Sequence, residues 1–526
     1  MSIPRSAATF VRRGRLPRGG VLLAAALTAS ASLHAQPAPH ARIRAVMERP
    51  EFAHAHWGLE FYDIASGKVI ASHNGDRLFV PGSTTKVVTM ATAIETLGAD
   101  HRFRTRIYRT GPVQGGVLQG DLVLVAAGDP NLSGRERPDG TLAFMDQDHS
   151  YSGPPLPTDP LTTLKALAQQ VRARGITRIT GQVIVDASLF REGSRELGTR
   201  IVMSPMVVND NVVDLVVTPA ARAGEAATVT VSPRTSYLTV QANITTGDSG
   251  SAPQLRTVED SSNKDARVLV MTGRIPVGPA MNPRWAVPVP SRFGEITLSE
   301  VLNAAGVAAI PRLASRAVDV PALAARYADS LLVAEHVSAP ILQEAVVLLK
   351  TSQNLHASNF PLLLGALRAG QPGVATGFDV ARDWLSREGL PLDGAVQGDG
   401  AGGDAYFSPR FMTRLLAKVW SKPWARDFKA AMPNLGKDGT LARIQVNSPG
   451  AGKVFAKTGT YGSYDPLNRR QLIHGKGLAG YFTTKGGREV AFALYVNNVS
   501  VAQGDPAIVA GEALGEIASI AWETMK

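Results

Sequence analysis

Between residues 104 and 320 the texture of this chain changes, and that interruption limits what it can fold into. Before it, a short helical pattern over residues 40–49 leads to two strand-like runs, 57–63 and 69–72, joined by a turn at Ser66-Gly67. A helix follows Pro81-Gly82. Its apolar positions Val87, Met90, Ala91, Ile94 and Leu97 recur at three- and four-residue spacing until Gly98 ends the pattern. After the interruption, helices return at 340–350 and 354–368. A hairpin then pairs 478–484 with 489–497 around Lys485-Gly486-Gly487-Arg488, and a closing helix spans 506–525. Helix and strands at one end, and strand-helix pieces at the other, predict a single α/β domain made of residues 36–103 and 321–526. In the interruption short β-rich stretches dominate, at 122–126, 183–186, 227–231, 237–244 and 268–275. One clear helix, 161–174, precedes the second of these. Residues 104–320 are therefore expected to form an inserted region of one or two β-rich domains.

The N-terminus reads as an export signal rather than as part of this fold. Arg5, Arg12, Arg13, Arg15 and Arg18 form a positive region free of acids, and an Ala/Leu-rich run over 21–31 follows, too short to span a bilayer comfortably. Cleavage is expected near Ala35, leaving a periplasmic protein. Loss of residues 1–35 removes five of the 55 basic residues and none of the 44 acids, so the net charge falls from +11 to +6. That mild positive charge is compatible with peripheral contact at an anionic envelope surface. No dense Lys/Arg stretch with interleaved aromatics follows the leader, so nucleic acid is not an expected partner. The chain has no cysteine, which excludes thiol catalysis, disulfides and cysteine-based metal sites. No cofactor or metal is expected.

Three short segments carry chemistry. Ser83-Thr84-Thr85-Lys86 lies at a helix start, where one helical turn brings the Lys86 amine beside the Ser83 hydroxyl. A serine needs a neighbouring base to become nucleophilic, and a buried lysine can serve as one. Alone, the same residues read equally as a helix cap followed by a surface lysine. Ser352-Gln353-Asn354 falls in the break between two helical patterns, where Ser352 could relay a proton and Asn354 could bind substrate or hold the lysine. Alone, it reads as an ordinary capping turn. Lys457-Thr458-Gly459-Thr460 lies on a strand read from Val454, whose edge could align an extended peptide. Lys457 would add charge, Thr458 could bind a carboxylate, and Gly459 permits close backbone approach. Alone, it is a surface strand ending in a turn.

Together, in this order and in these local settings, the three resemble the S-x-x-K, S-x-N and K-T-G set of the penicillin-recognising serine peptidases. From Ser83 to Ser352 is 269 residues and from Ser352 to Lys457 only 105, and the long first interval resembles the class C low-molecular-mass penicillin-binding proteins. Gly120-Asp121, Ala127-Gly128-Asp129-Pro130, residues 181–186, Asp399-Gly400-Ala401-Gly402 and Asp438-Gly439-Thr440-Leu441 extend the likeness over most of the mature chain. There are two departures: Gln353 stands where the family commonly has Asp or Ser, and Ala401 stands where it has Ser.

The resemblance implies an antiparallel sheet flanked by helices, with the large insertion set into it. It also implies a serine-type D-alanyl-D-alanine carboxypeptidase, with endopeptidase activity as a second expectation, acting on peptidoglycan peptides and acylated by β-lactams. Lys86 would take the proton of Ser83, which attacks the carbonyl between the two D-alanines. The amides of Ser83 and Thr460 would hold the oxyanion. Ser352, with Lys457, would protonate the departing D-alanine, and Lys457 and Thr458 would recognise its carboxylate. Two rivals share the fold: a serine β-lactamase, which the long insertion argues against, and a catalytically silent peptidoglycan-binding protein, which the retained Ser83, Lys86 and Lys457 argue against.

Overall fold

A strand buried on both faces cannot alternate apolar with polar residues, and Glu489–Val499 does not. Val490, Phe492, Leu494 and Val496 point to one face, and Ala491, Ala493 and Tyr495 to the other. This strand is the middle of a five-stranded antiparallel sheet, ordered Val454–Asp465, Arg470–Thr483, Glu489–Val499, His56–Asp63 and Lys68–His73. The structure is a computed structural model that describes residues 38–262, 267–311 and 319–526. The expected leader, 1–35, lies outside the described residues.

The first face packs on the terminal helices Ala41–Met47 and Pro506–Thr524 through Ile43, Val46, Leu514 and Ile517. The second packs on the helix Thr85–Leu97 and on helices from after the interruption, through Val87, Ile94, Leu348, Phe360 and Phe411. The two ends of the chain thus complete one sheet, as the flanking periodicities predict. The Gly98 stop is realised as a cap with φ of 99° whose N–H bonds to Ile94.

Three strands of the interruption and one from beyond it form a four-stranded sheet, ordered Leu332–Val337, Arg104–Arg109, Leu122–Val125, Val183–Asp186. Its last pair is parallel, and the helix Thr162–Ala173 supplies the crossover that parallel pairing requires. Two three-stranded sheets follow, one centred on Val212–Thr218 and one on Arg267–Pro276. A helix hidden by the β-rich texture, Pro290–Ala304, joins the same apolar core through Phe293, Ile296 and Leu302. Proline at its first turn was the available start signal.

A buried ionic cluster joins this region to the helices after it. Arg135 bonds to Asp148 and Asp210, and His149 bridges Asp210 and Asp214 at 2.7 and 2.8 Å. His356, from the helix Asn354–Arg368, bridges Asp210 and Glu344 at 2.9 Å each. Burial opposes the charge on both histidines, but the carboxylates outweigh it and hold each pKa at about 10. Both are therefore protonated in the native state and largely neutral in the unfolded chain above pH ~6.5. Their stabilisation is complete below that value and is lost as pH rises toward about 10. In urea unfolding, the wild type should lose stability over that interval, and His356→Gln, less stable at neutral pH, should lose less of what remains.

Candidate active site

Ser83 lies in a single 3-10 turn, Gly82–Thr84, that leads directly into the helix Thr85–Leu97. Three glycines let backbones meet around it. A Cβ on Gly459 would stand 2.0 Å from Pro81 O and 3.0 Å from Ser83 N. One on Gly82, at φ of 51°, would stand 2.5 Å from Thr460 N, and one on Gly402 would stand 2.1 Å from Gly82 O. The Ser83 turn is thus clamped between the edge strand Val454–Asp465 and the loop after Asp399, which brings its backbone close to that of Gly459 and Thr460.

Lys86 is fully buried, with Nζ 2.6 Å from Ser83 Oγ, 2.6 Å from Asn354 Oδ1 and 3.2 Å from the carbonyl of Ala401. Burial pushes its pKa down to about 7, although the carboxylates of Glu196 and Asp399 pull it upward. Lys457 is also fully buried and donates to the carbonyl of Thr458 at 2.8 Å. Burial, then the charges of Lys86 and Lys476, hold its amine well below the usual lysine range. The first and third sequence motifs therefore place two lysines in one buried space, where the charge of Lys86 favours the neutral form of Lys457.

The second motif is held residue by residue from the interrupting region. Ser352, at φ of 65°, accepts through its carbonyl from the Tyr151 hydroxyl at 2.7 Å. Gln353 donates to Asp148, Ser150 and Asp210 at 3.0–3.2 Å, and its other end caps the next helix at Leu355 N. Asn354 donates to Glu196 Oε1 at 3.0 Å. The two departures from the family pattern both find a physical account here. Gln353 is anchored in the ionic cluster, where an amide donates to carboxylates that a further Asp would repel. At Ala401 it is the backbone carbonyl that meets Lys86, so the missing hydroxyl costs Lys86 no contact.

A cavity of about 420 Å³ opens on Ser83, Ser352, Asn354, Thr458 and Thr460. Gly459, Lys86 and Lys457 do not line it. Two lining residues have roles that sequence reasoning missed. Thr440 stands 2.7 Å, hydroxyl to hydroxyl, from Thr458. Lys476 donates to Thr460 Oγ1 at 2.7 Å, and burial lowers its pKa to about 8 against the pull of Asp505. Lys476 sits directly across the strand pair from Thr460, a register visible only once the hairpin's reach to Arg470 is known. Glu196 carried no signal, since nothing near it in sequence is catalytic.

Among curated proteins the chain is similar to a D-alanyl-D-alanine carboxypeptidase of Actinomadura sp. (strain R39), at 27% identity over 81% of this chain and 77% of that one. It is also similar to the D-alanyl-D-alanine carboxypeptidase DacB of Haemophilus influenzae, at 22% identity over 83% and 84%. The crystal structure of penicillin binding protein 4 (dacB) from Haemophilus influenzae shares the fold, with a TM-score of 0.67 at 19% identity over 91% of this chain and 99% of that one. Residues 40–514 match the D-Ala-D-Ala carboxypeptidase 3 (S13) family, and the chain belongs to that family.

Proposed function

We propose that Ser83 is the acylated nucleophile of a serine D-alanyl-D-alanine carboxypeptidase, with endopeptidase activity on the same peptides. The observation that carries this reading is the 2.6 Å contact between the Ser83 hydroxyl and a buried lysine amine whose pKa lies near neutrality. Lys86 in its neutral form takes the hydroxyl proton, and Ser83 attacks the carbonyl between the two D-alanines. The amides of Ser83 and Thr460 stabilise the oxyanion, such donors contributing about 3 kcal/mol each. Ser352, with Lys457, returns a proton to the departing amine. Thr458, paired with Thr440, and Lys476 beside Thr460 form the polar wall that suits a terminal carboxylate. Water then releases the acyl group. A β-lactam acylates the same serine but keeps its leaving group tethered, so the adduct persists.

The same reading assigns residues 36–103 and 321–526 to the peptidase domain and 104–320 to the insertion, whose sheet also recruits Leu332–Val337. Export to the periplasm rests on the basic, then apolar N-terminal segment, with cleavage near Ala35. Among the described residues no helix is long and apolar enough to cross a membrane. Peripheral contact with an anionic envelope surface rests on the charge of +6 that remains after cleavage.

Incubation with benzylpenicillin should give an intact-mass adduct that Ser83→Ala abolishes, whereas hydrolysed penicillin without an adduct would identify a β-lactamase instead. The acylation rate should climb with pH through about 7, as Lys86 loses its proton, and level off above it, in stopped-flow measurements. Gly459→Ala drives a methyl into Pro81 O and should cost about 10²-fold in acylation by displacing the nucleophile turn.

A further inference from the structure

Glu196 belongs to the interrupting region, lies 158 residues before Asn354 and has 1% of its surface exposed. Its turn closes on itself: Gly198 N donates to Oε1 at 2.7 Å, and the backbone N–H and hydroxyl of Thr199 donate to Oε2. The carboxylate is thus fixed, and its remaining reach is spent on Asn354 Nδ2. An ionised carboxylate only accepts, so it decides which end of the Asn354 amide faces it. The NH₂ group turns toward Glu196, and Oδ1 turns toward Lys86.

That choice matters for the base. A neutral amine has two N–H groups and one lone pair. Asn354 Oδ1 and the carbonyl of Ala401 are acceptors that occupy both N–H groups, leaving the lone pair for the Ser83 hydroxyl. A reversed amide would present its own N–H to the lysine and compete with Ser83 for the lone pair. We propose that Glu196 is a positioning residue for acylation: it locks the Asn354 amide so that the Lys86 lone pair points at Ser83.

Glu196 has a second effect through charge. The charged groups facing Lys86 are Glu196 from the interrupting region and Asp399 from the loop beside the Ser83 turn, while the buried Lys457 of the edge strand is held toward its neutral form. The two carboxylates favour the protonated amine, so removing one lowers the pH at which Lys86 becomes a base.

The inference rests on the acyl-enzyme reading, and the test keeps the two apart. The full-length mature protein is labelled with a fluorescent penicillin, and the acylation rate constant is followed between about pH 5 and about pH 9 for wild type, Glu196→Gln and Glu196→Asp. Failure of the wild type to label would overturn the acyl-enzyme reading itself. Glu196→Gln can still offer an oxygen to Asn354 but carries no charge, so its rising limb should move to lower pH. Glu196→Asp keeps the charge but withdraws it by one methylene. Its limb should stay in place while its plateau falls by about 10²-fold. Wild-type rates with unmoved limbs in both variants would sink the proposal. So would a loss that only tracks a lower folded fraction in thermal melts. If Glu196→Gln does not fold, the plateau of Glu196→Asp decides alone.

Discussion

The structure turns on lowering the proton affinity of one buried amine. A lysine amine in water holds its proton until about pH 10.4 and is no base at neutrality. Here Lys86 is drawn wholly inside, and burial removes the hydration that would have stabilised its charge. Everything around it serves that condition. The glycine clamp seals the Ser83 turn against the edge strand, and two carboxylates limit how far the pKa falls. The result is an amine poised near neutrality with its hydrogen-bond partners already chosen.

The same logic explains why so much chain is needed for so small a site. The S-x-N segment connects two helices and has no rigidity of its own, and Ser352 is held in left-handed backbone space. Tyr151, Gln353's partners and Glu196 pin its three residues one by one from outside the peptidase elements. The interrupting region therefore holds the Ser352-Gln353-Asn354 segment in place.

Much of this was legible in the sequence, for reasons that can be named. Ser83, Lys86, Ser352, Asn354, Lys457, Thr458, Gly459 and Thr460 are local motifs, and the periodic helices around Val87 and Leu348 are set by short-range burial. The strand Val183–Asp186 and the helix 161–174 were equally readable. What escaped were long-range partners. Glu196 has no distinctive neighbours in sequence, and Lys476 acquires its place only through cross-strand register. The helix Pro290–Ala304 was masked by the strands around it. The His356–Asp210 pair is separated by 146 residues, and no periodicity can announce such a meeting.

That pair has a bearing on how the molecule is made. Arg135, Asp148, His149 and Asp210 emerge long before His356 and Glu344 as the polypeptide is synthesised from its N-terminus. Until the later helices arrive, a set of charges destined for a dry interior has lost water without gaining all its partners, a situation that breaking a buried pair shows to cost about 3–5 kcal/mol. The early segment is thus better left open than closed. Final compaction around this cluster must wait for His356, 146 residues beyond Asp210 in the chain.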